Sequence, residues 1–213
     1  MDNQSLHLYL VTDSRWLNGR SLADVVEEAI DGGVTFVQLR EKDATTEELV
    51  KASKPLIGLC RSRGIPFVID DDVEAVRISG ADGVHVGQSD SECREARSIL
   101  GPEAIIGVSA HTVEEATAAQ AAGADYIGAG AVFHTGTKEN ANDMTMQEMT
   151  DICNAVDIPV VAIGGIDASN AAMLKPTGVA GIAVVSAIMA AENPRKAAEE
   201  LDRAFDEEAD MRK

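Results

Sequence analysis

The chain has 213 residues, of which 45% are hydrophobic, and no shift in composition marks a boundary, so we expect a single domain over residues 1–213. Eighteen Lys and Arg against thirty-six Asp and Glu give a formal charge of −18, which repels phosphate backbones and anionic lipids and argues against nucleic acid and membrane surfaces as partners. Either a solubilising surface or adaptation to high salt explains this acidity, and composition alone does not separate the two.

Short Val- and Ile-rich runs alternate with amphipathic segments along the whole chain. The predicted strands are residues 6–11, 35–39, 66–69, 83–86, 105–108, 126–129, 159–163 and 182–185. The predicted helices between them include residues 22–30, 47–60, 91–100, 113–122 and 146–156. Because each apolar strand is followed by a helix, the strands should be parallel and covered on the outside. Eight such units predict an α/β fold, a single (β/α)8 TIM barrel, with a doubly wound open sheet as the alternative.

The second predicted strand carries long polar side chains where a buried strand should be apolar. In the stretch VTFVQLREKD, residues 34–43, Gln38, Arg40 and Lys42 occupy every second position. Alternate residues of a strand leave the same face. At the mouth of a barrel these three would offer an amide and two cations to an anion.

Polar clusters follow most of the other strands, at the end of the barrel where active sites form. They are Asp70-Asp71-Asp72, Gly87-Gln88-Ser89-Asp90, Ser109-Ala110-His111, Thr135-Gly136-Thr137-Lys138, Gly164-Gly165 and Ser186. Solvated loops would scatter such clusters over both ends of the barrel. Their one-sided distribution therefore favours a functional site.

Two of these clusters suit a metal. Asp71 and Asp90 follow consecutive strands, so their carboxylates can approach each other. Mg²⁺ is commonly held by one or two carboxylates together with water and substrate phosphate. Either aspartate alone is equally well explained as a helix N-cap or a surface charge.

The later clusters suit phosphate groups. Gly164-Gly165 and Ser186 offer backbone N–H groups, a hydroxyl and a helix N-terminus, although a Gly-Gly pair is also a common tight turn. Thr135-Gly136-Thr137-Lys138 combines two hydroxyls with an ammonium, or forms an ordinary flexible loop. His111 and His134 have no Ser or Cys partner in a triad pattern, so we interpret them as structural.

Cysteine usage and the N-terminus indicate the compartment. Cys60, Cys93 and Cys153 are far apart and form no C-x-x-C pair, which argues against a disulfide framework and a zinc site. The first residues lack the basic and apolar regions of a secretory signal, and the nearly uncharged run 176–191 is short for a membrane span. We expect a cytoplasmic protein; a homo-oligomer remains open.

Eight segments of the chain resemble the thiamine-phosphate synthase family, in order and over essentially the whole length. They are YLVTD (9–13), QLREK (38–42), IDDDVE (69–74), GADGVHVGQSD (80–90), GVSAH (107–111), GADYIGAGAVFHTGTK (123–138), IPVVAIGGI (158–166) and GIAVVSAI (181–188). The resemblance implies a Mg²⁺-dependent transferase of thiamine biosynthesis. Such a barrel joins a hydroxymethylpyrimidine diphosphate to a thiazole phosphate, giving thiamine phosphate and diphosphate.

The resemblance also implies roles for individual residues. Gln38, Arg40 and Lys42 would bind the pyrimidine diphosphate, with Ser109 and Lys138 contacting the same substrate, and Asp71 and Asp90 would hold Mg²⁺. The thiazole phosphate would meet Thr135, Thr137, Gly165, Val185 and Ser186; Leu39, Glu41, Asp70 and Gly136 complete the implied substrate-binding set. Of these, Arg40, Lys42, Ser109 and Lys138 are the implied catalytic residues. The family usually carries Asn where this chain has Asp70, so an amide that can donate a hydrogen bond is replaced by a carboxylate that only accepts.

The implied mechanism needs charge stabilisation and no nucleophile. In the family the carbon–oxygen bond breaks largely before the thiazole nitrogen attacks, so cations and Mg²⁺ have to stabilise a departing diphosphate. The alternatives are a thiazole tautomerase, a similar barrel that works by proton transfer, and a non-catalytic barrel that binds thiamine precursors. The paired aspartates and the Thr-x-Thr-Lys segment favour the synthase.

Overall fold

Eight parallel strands close into a barrel. The computed structural model describes residues 3–133 and 144–207, without the side chain of Asp90. The strands are β1 Leu8–Val11, β2 Phe36–Leu39, β3 Phe67–Asp70, β4 Gly83–Val86, β5 Ile105–Ala110, β6 Tyr126–Gly130, β7 Val160–Ile163 and β8 Gly181–Val184. Each strand pairs with the next one, and β8 pairs with β1. The predicted barrel is therefore confirmed, and the open-sheet alternative is wrong.

Helices cover the outside of the barrel. They are α1 Leu22–Asp31, α2 Thr46–Ser62, α3 Val73–Ser79, α4 Asp90–Leu100, α5 Val113–Ala122, α6 Met146–Ala155, α7 Ser186–Met189 and α8 Pro194–Asp206. Between β7 and β8 the chain forms a short 3-10 helix, Ala171–Thr177. The five predicted helices agree with α1, α2, α4, α5 and α6 to within two residues at each end. Within the described ranges, no helix is long and apolar enough to cross a lipid bilayer.

Two separate apolar layers hold the barrel together. Side chains such as Leu8, Val37 and Leu39 pack outward in the layer between strands and helices. Alternate residues point inward and form a second cluster of Leu6, Tyr9, Val11, Phe36, Val68, Tyr126, Val161 and Ala183. The ring centroid of Phe36 lies 4.4 Å from that of Tyr9 and 5.6 Å from that of Tyr126. The barrel interior is thus filled by packed side chains, and its aromatic rings form a floor beneath the mouth of the barrel.

The three cysteines all lie within the described residues and form no disulfide: Cys60 and Cys93 are buried and Cys153 is half-buried. Burial raises the pKa of Cys60 to about 12 and that of Cys153 to about 11. Thiols with such values stay protonated at neutral pH and are poor nucleophiles.

Candidate functional site

The carboxyl end of β2 brings a buried amide and a cation to the mouth of the barrel. Gln38 points inward and is only 4% exposed, whereas Leu39 packs outward against the helices. Arg40 follows the strand, and its side chain also lies on the inner side, where Nε is 3.4 Å from Asp70 Oδ2. Its backbone N–H donates to Thr12 Oγ1 at 3.1 Å, which fixes the chain on leaving the strand.

Glu41 and Lys42 lie in the turn beyond this strand. Glu41 Oε1 accepts a hydrogen bond from Ser14 Oγ at 2.6 Å. Lys42 is exposed, and the next residue, Asp43, has a φ of 68°. Because strand geometry ends at Leu39, the two-residue alternation does not extend to Lys42. The structure brings Gln38 and Arg40 together and leaves Lys42 outside that contact.

The three consecutive aspartates at the end of β3, of which Asp70 is the last residue of the strand, have three different surroundings. Asp70 faces inward, where Oδ1 accepts from Gln38 Nε2 and Oδ2 faces Arg40. Asp72 caps α3, accepting from the backbone N–H of Ala75 at 2.7 Å and from Thr46 Oγ1 at 2.7 Å. The two outer members of the trio are therefore engaged by the protein.

Asp71 differs from both neighbours. Its backbone has a φ of 58°, in the left-handed region that Asp tolerates better than most residues, and its N–H donates to the carbonyl of His85 at 2.8 Å. Its side chain is exposed, and none of the described hydrogen bonds involves its carboxylate. Asp71 is thus the aspartate of the three that faces solvent at the mouth.

The carboxylates at this end of the barrel suit a magnesium site whose remaining ligands are substrate phosphate and water. Within residues 3–133 and 144–207, no group of three or more His, Cys, Asp or Glu is arranged to hold a metal. Mg²⁺ does not require such a cage, because one or two carboxylates suffice when phosphate and water complete the shell. Asp71 offers one exposed carboxylate after β3. Asp90 begins α4, separated from the end of β4 by three residues, and its side chain lies outside the described residues.

A second carboxylate approaches Arg40 from the segment that follows β1. Asp13 is 5% exposed and receives hydrogen bonds from the Arg15 guanidinium, with Nη2 at 2.6 Å from Oδ2. Burial raises the pKa of Asp13, but the hydrogen bonds and charge of Arg15, aided by Arg40, outweigh it and lower the pKa overall. Arg40 Nη1 lies 4.0 Å from the same carboxylate. Arg40 is therefore held between two carboxylates, Asp13 and Asp70.

A continuous hydrogen-bonded chain runs beneath the mouth and across the barrel interior. Its members, which we call the interior chain, are Asp70, Gln38, Tyr9, Tyr126, His85 and Ser109. Tyr9 Oη donates to Gln38 Oε1 at 2.7 Å and lies 2.8 Å from Tyr126 Oη. His85 joins the other end, with Nδ1 2.9 Å from Tyr126 Oη and Nε2 3.1 Å from Ser109 Oγ. The chain connects two of the expected substrate-binding residues, Asp70 and Ser109.

Glycine makes room for this chain. A Cβ atom on Gly107 of β5 would lie 2.1 Å from Tyr126 Cζ and 2.5 Å from His85 Nδ1. Burial raises the pKa of Tyr9 and of Tyr126 well above the ordinary value of 10.0, so both phenols stay protonated.

The sequence patterns did not single out Tyr9, Tyr126, His85 or Asp13. The first three lie in runs that the sequence pattern predicts as near-continuous apolar strands. The signal was present, since Tyr9 lies between Leu8 and Leu10, and His85 between Val84 and Val86, each pair pointing outward. Applied to every strand, the two-residue alternation would have placed all three inside the barrel.

The loops after β7 and β8 lie side by side, because these strands are paired. Gly164 and Gly165 have φ values of 105° and 64°, and a Cβ on Gly164 would lie 2.5 Å from the Cβ of Ala131. The Gly165 carbonyl accepts from Asn170 Nδ2 at 2.9 Å. Val185 is half-buried, and the exposed Ser186 begins α7, which is only four residues long.

Some of the expected residues fall elsewhere. Thr135, Gly136, Thr137, Lys138 and His134 lie outside the described residues. His111 is held between neighbouring segments, with Nδ1 against the carbonyl of Gly130 and Nε2 2.6 Å from Gln88 Nε2.

A hollow of about 710 Å³ lies at the opposite end of the barrel, beside the residues that precede β3 to β5, and it contains none of the expected site residues.

Comparison with known proteins identifies relatives over almost the whole length. A family model described as thiamine monophosphate synthase matches residues 8–188. Thiamine-phosphate synthase of Clostridium tetani is 45% identical over 209 residues, which cover 97% of this chain and 100% of that protein. The corresponding protein of Fusobacterium nucleatum is 42% identical, over 96% of this chain and 100% of its own length.

A solved structure agrees with these sequence relatives. Thiamine phosphate pyrophosphorylase from Pyrococcus furiosus superimposes with a TM-score of 0.87 at 41% identity. The alignment covers 95% of this chain and 96% of that one. Fold and sequence therefore indicate the same group of enzymes.

Proposed function

Because the chain belongs to the thiamine monophosphate synthase family, we propose that it joins 4-amino-2-methyl-5-hydroxymethylpyrimidine diphosphate to 4-methyl-5-(2-hydroxyethyl)thiazole phosphate, or its carboxylated form. The products are thiamine phosphate and diphosphate, and the carboxylated form in addition loses its carboxyl group as carbon dioxide, whose bonding electron pair stays with the thiazole ring. The observation that carries this proposal is the position of Arg40, a half-buried cation held between Asp13 and Asp70, the residue that precedes the exposed Asp71. A cation fixed at the same end of the barrel as a solvent-facing carboxylate suits a diphosphate that arrives with a divalent metal.

The reaction exchanges one bond for another. The bond between the pyrimidine methylene carbon and the diphosphate oxygen breaks, and diphosphate leaves with the electron pair. The lone pair of the thiazole nitrogen then forms the new carbon–nitrogen bond. This exchange needs no nucleophilic side chain, so the protein has to orient two substrates and stabilise the negative charge on the leaving group.

In this proposal the charged groups act on the diphosphate. Arg40 binds the leaving diphosphate, and its two flanking carboxylates hold the guanidinium in place before the substrate arrives. Lys42, which is exposed, and Lys138 add further positive charge. Asp71 and Asp90 would hold Mg²⁺, which supplies further charge stabilisation to the diphosphate when bound.

The remaining groups position the organic parts of the substrates. Gln38, Ser109 and Asp70 bind the pyrimidine substrate from the floor of the mouth, where the interior chain fixes their side chains. The Gly164-Gly165 turn, Val185 and Ser186 surround the thiazole phosphate, together with Thr135 and Thr137. Backbone N–H groups in glycine turns are suited to this task because no side chain blocks the anion.

Omitting one substrate at a time separates the synthase from its rivals. The purified protein is incubated with Mg²⁺ and the pyrimidine diphosphate alone, the carboxylated thiazole phosphate alone, or both, and products are followed by ³¹P and ¹H NMR. A synthase forms thiamine phosphate only when both substrates are present. Isomerisation of the thiazole alone without thiamine phosphate would indicate a tautomerase, and binding without any turnover would indicate a non-catalytic barrel.

A further inference from the structure

The hydrogen bonds of the interior chain have a direction, which is the order of donor and acceptor at each link, and Asp70 determines it. A carboxylate oxygen only accepts hydrogen bonds, so the Gln38 amide has to turn its NH₂ group towards Asp70. The amide oxygen of Gln38 therefore faces Tyr9, whose hydroxyl donates to it at 2.7 Å. An Asn at position 70 could face Gln38 with either its oxygen or its NH₂ group, whereas Asp allows one arrangement.

Each later link follows from the number of protons available. A phenol has a single O–H, and that of Tyr9 is already used on Gln38. Tyr126 therefore has to be the donor in the 2.8 Å contact between the two hydroxyls. Because Tyr126 donates its only O–H proton to Tyr9, its oxygen has to accept a hydrogen bond from the ring of His85. Nδ1 of His85 therefore carries a proton.

The chain ends at the mouth of the barrel. With the proton on Nδ1, a neutral His85 ring presents the Nε2 lone pair to Ser109 Oγ, 3.1 Å away. The Ser109 hydroxyl then donates to His85 and turns its own lone pairs towards the mouth. In this state Ser109 accepts a hydrogen bond from an N–H or O–H group of a ligand and is poorly suited to a phosphate oxygen, which offers no proton.

We propose that His85 is a positioning residue, held as the neutral Nδ1–H tautomer by the directed interior chain, and that it fixes the Ser109 hydroxyl as a hydrogen-bond acceptor for the substrate. In this role His85 acts on the ligand through Ser109, whose hydroxyl it contacts. The effect on turnover rests on the proposed synthase function, whereas the tautomer can be measured without it.

The direct test is ¹⁵N NMR of histidine-labelled protein, because the ring nitrogens of the two neutral tautomers and of the imidazolium have distinct shifts. The chain has 4 histidines, and the signals lost in His85→Gln identify those of His85. We expect the Nδ1–H form in the unchanged protein. Finding the Nε2–H tautomer or the imidazolium there overturns the proposal, whatever the variants do.

Tyr9→Phe tests the direction of the interior chain at a residue that is linked to His85 only through the hydrogen bonds of Tyr126. Without the Tyr9 hydroxyl, Tyr126 satisfies its buried O–H best by donating to His85 Nδ1, which moves the ring proton to Nε2. We therefore expect the Nε2–H tautomer to appear in this variant. Phe36→Leu is the matched control, since Phe36 packs against both tyrosine rings but has no hydrogen-bonding group in its side chain. Its tautomer should match that of the unchanged protein.

Kinetics then test the positioning role. We expect kcat/KM with the pyrimidine substrate to fall about tenfold in Tyr9→Phe and less in Phe36→Leu. A tautomer that shifts while kcat/KM stays unchanged overturns the positioning role. If the unchanged protein forms no thiamine phosphate, the proposed function fails separately, and the tautomer measurement still decides the direction of the chain.

Discussion

The hydroxyl groups of Tyr9 and Tyr126 lie 2.8 Å apart at the centre of the barrel, and both side chains are fully or almost fully buried. These are the only two tyrosines in the chain. Their contact joins the side of the mouth that carries Gln38 and Asp70 to the side that carries His85 and Ser109. Because ionisation of tyrosine changes its ultraviolet absorbance, the protonation of this pair can be followed optically.

An alkaline absorbance titration should therefore show no tyrosine ionisation in the folded protein near pH 10. Burial raises both pKa values, so the folded state retains protons that the unfolded state releases above its ordinary value of 10.0. Stability should consequently decrease as the pH rises above about 10, and tyrosinate absorbance should appear together with the loss of circular dichroism. Ionisation of either tyrosine in the folded protein at its ordinary pKa would contradict the buried pair.

Gly107→Ala should destabilise the barrel by about 1–3 kcal/mol or more. The added methyl would lie 2.1 Å from Tyr126 Cζ, so the ring and its hydrogen bonds would have to move. Gly58→Ala is the matched control, because no atom lies within 4 Å of the added carbon on this exposed face of α2. That change should stabilise by about 0.5–1 kcal/mol. Urea unfolding measures both, and equal effects would argue against the packing described here.

Asp70→Asn should tighten binding of the pyrimidine diphosphate. The carboxylate lies 3.4 Å from Arg40 and offsets part of its positive charge, so its removal leaves a stronger field for an anion. We expect a KM about three- to tenfold lower. Asp24→Asn, which removes the same charge from an exposed position on α1, should leave KM unchanged. An unchanged KM in Asp70→Asn would show that the Asp70 charge does not act on the anion, and a higher KM would show that the contacts of Asp70 with Gln38 and Arg40 outweigh its charge.

Asp71→Asn should raise the Mg²⁺ concentration needed for half-maximal activity by about tenfold or more, because it removes one charged metal ligand. Asn tolerates the left-handed backbone at φ 58°, so unfolding stability should not change. Asp43→Asn is the control, since Asp43 is also exposed and has a φ of 68°. Equal Mg²⁺ requirements in both variants would exclude Asp71 as a ligand.

The fold was predictable from sequence because the strand and helix patterns are local. Apolar runs and glycine-terminated helices placed the eight strands to within two residues at each end. Closure of the barrel is not a local property, since it depends on pairing between β8 and β1, and the open sheet was excluded only by that pairing.

The site was predictable where side chains follow strand ends and less so elsewhere. Alternation correctly placed Gln38 on the inner face, but extending it to Lys42 ignored the end of β2 at Leu39. The position of Asp70 depends on its contacts with Gln38 and Arg40, which no spacing rule reveals. His85 was missed because a single polar residue in an apolar strand is a weak pattern until its neighbours are known.

The most direct measurement is the amount of thiamine phosphate and diphosphate formed over time by the purified protein from both substrates and Mg²⁺, at low and high salt. The proposed synthase function predicts that the two products appear in equal amounts and only in the presence of both substrates. Diphosphate released without thiamine phosphate, or no product at any salt concentration, would contradict it.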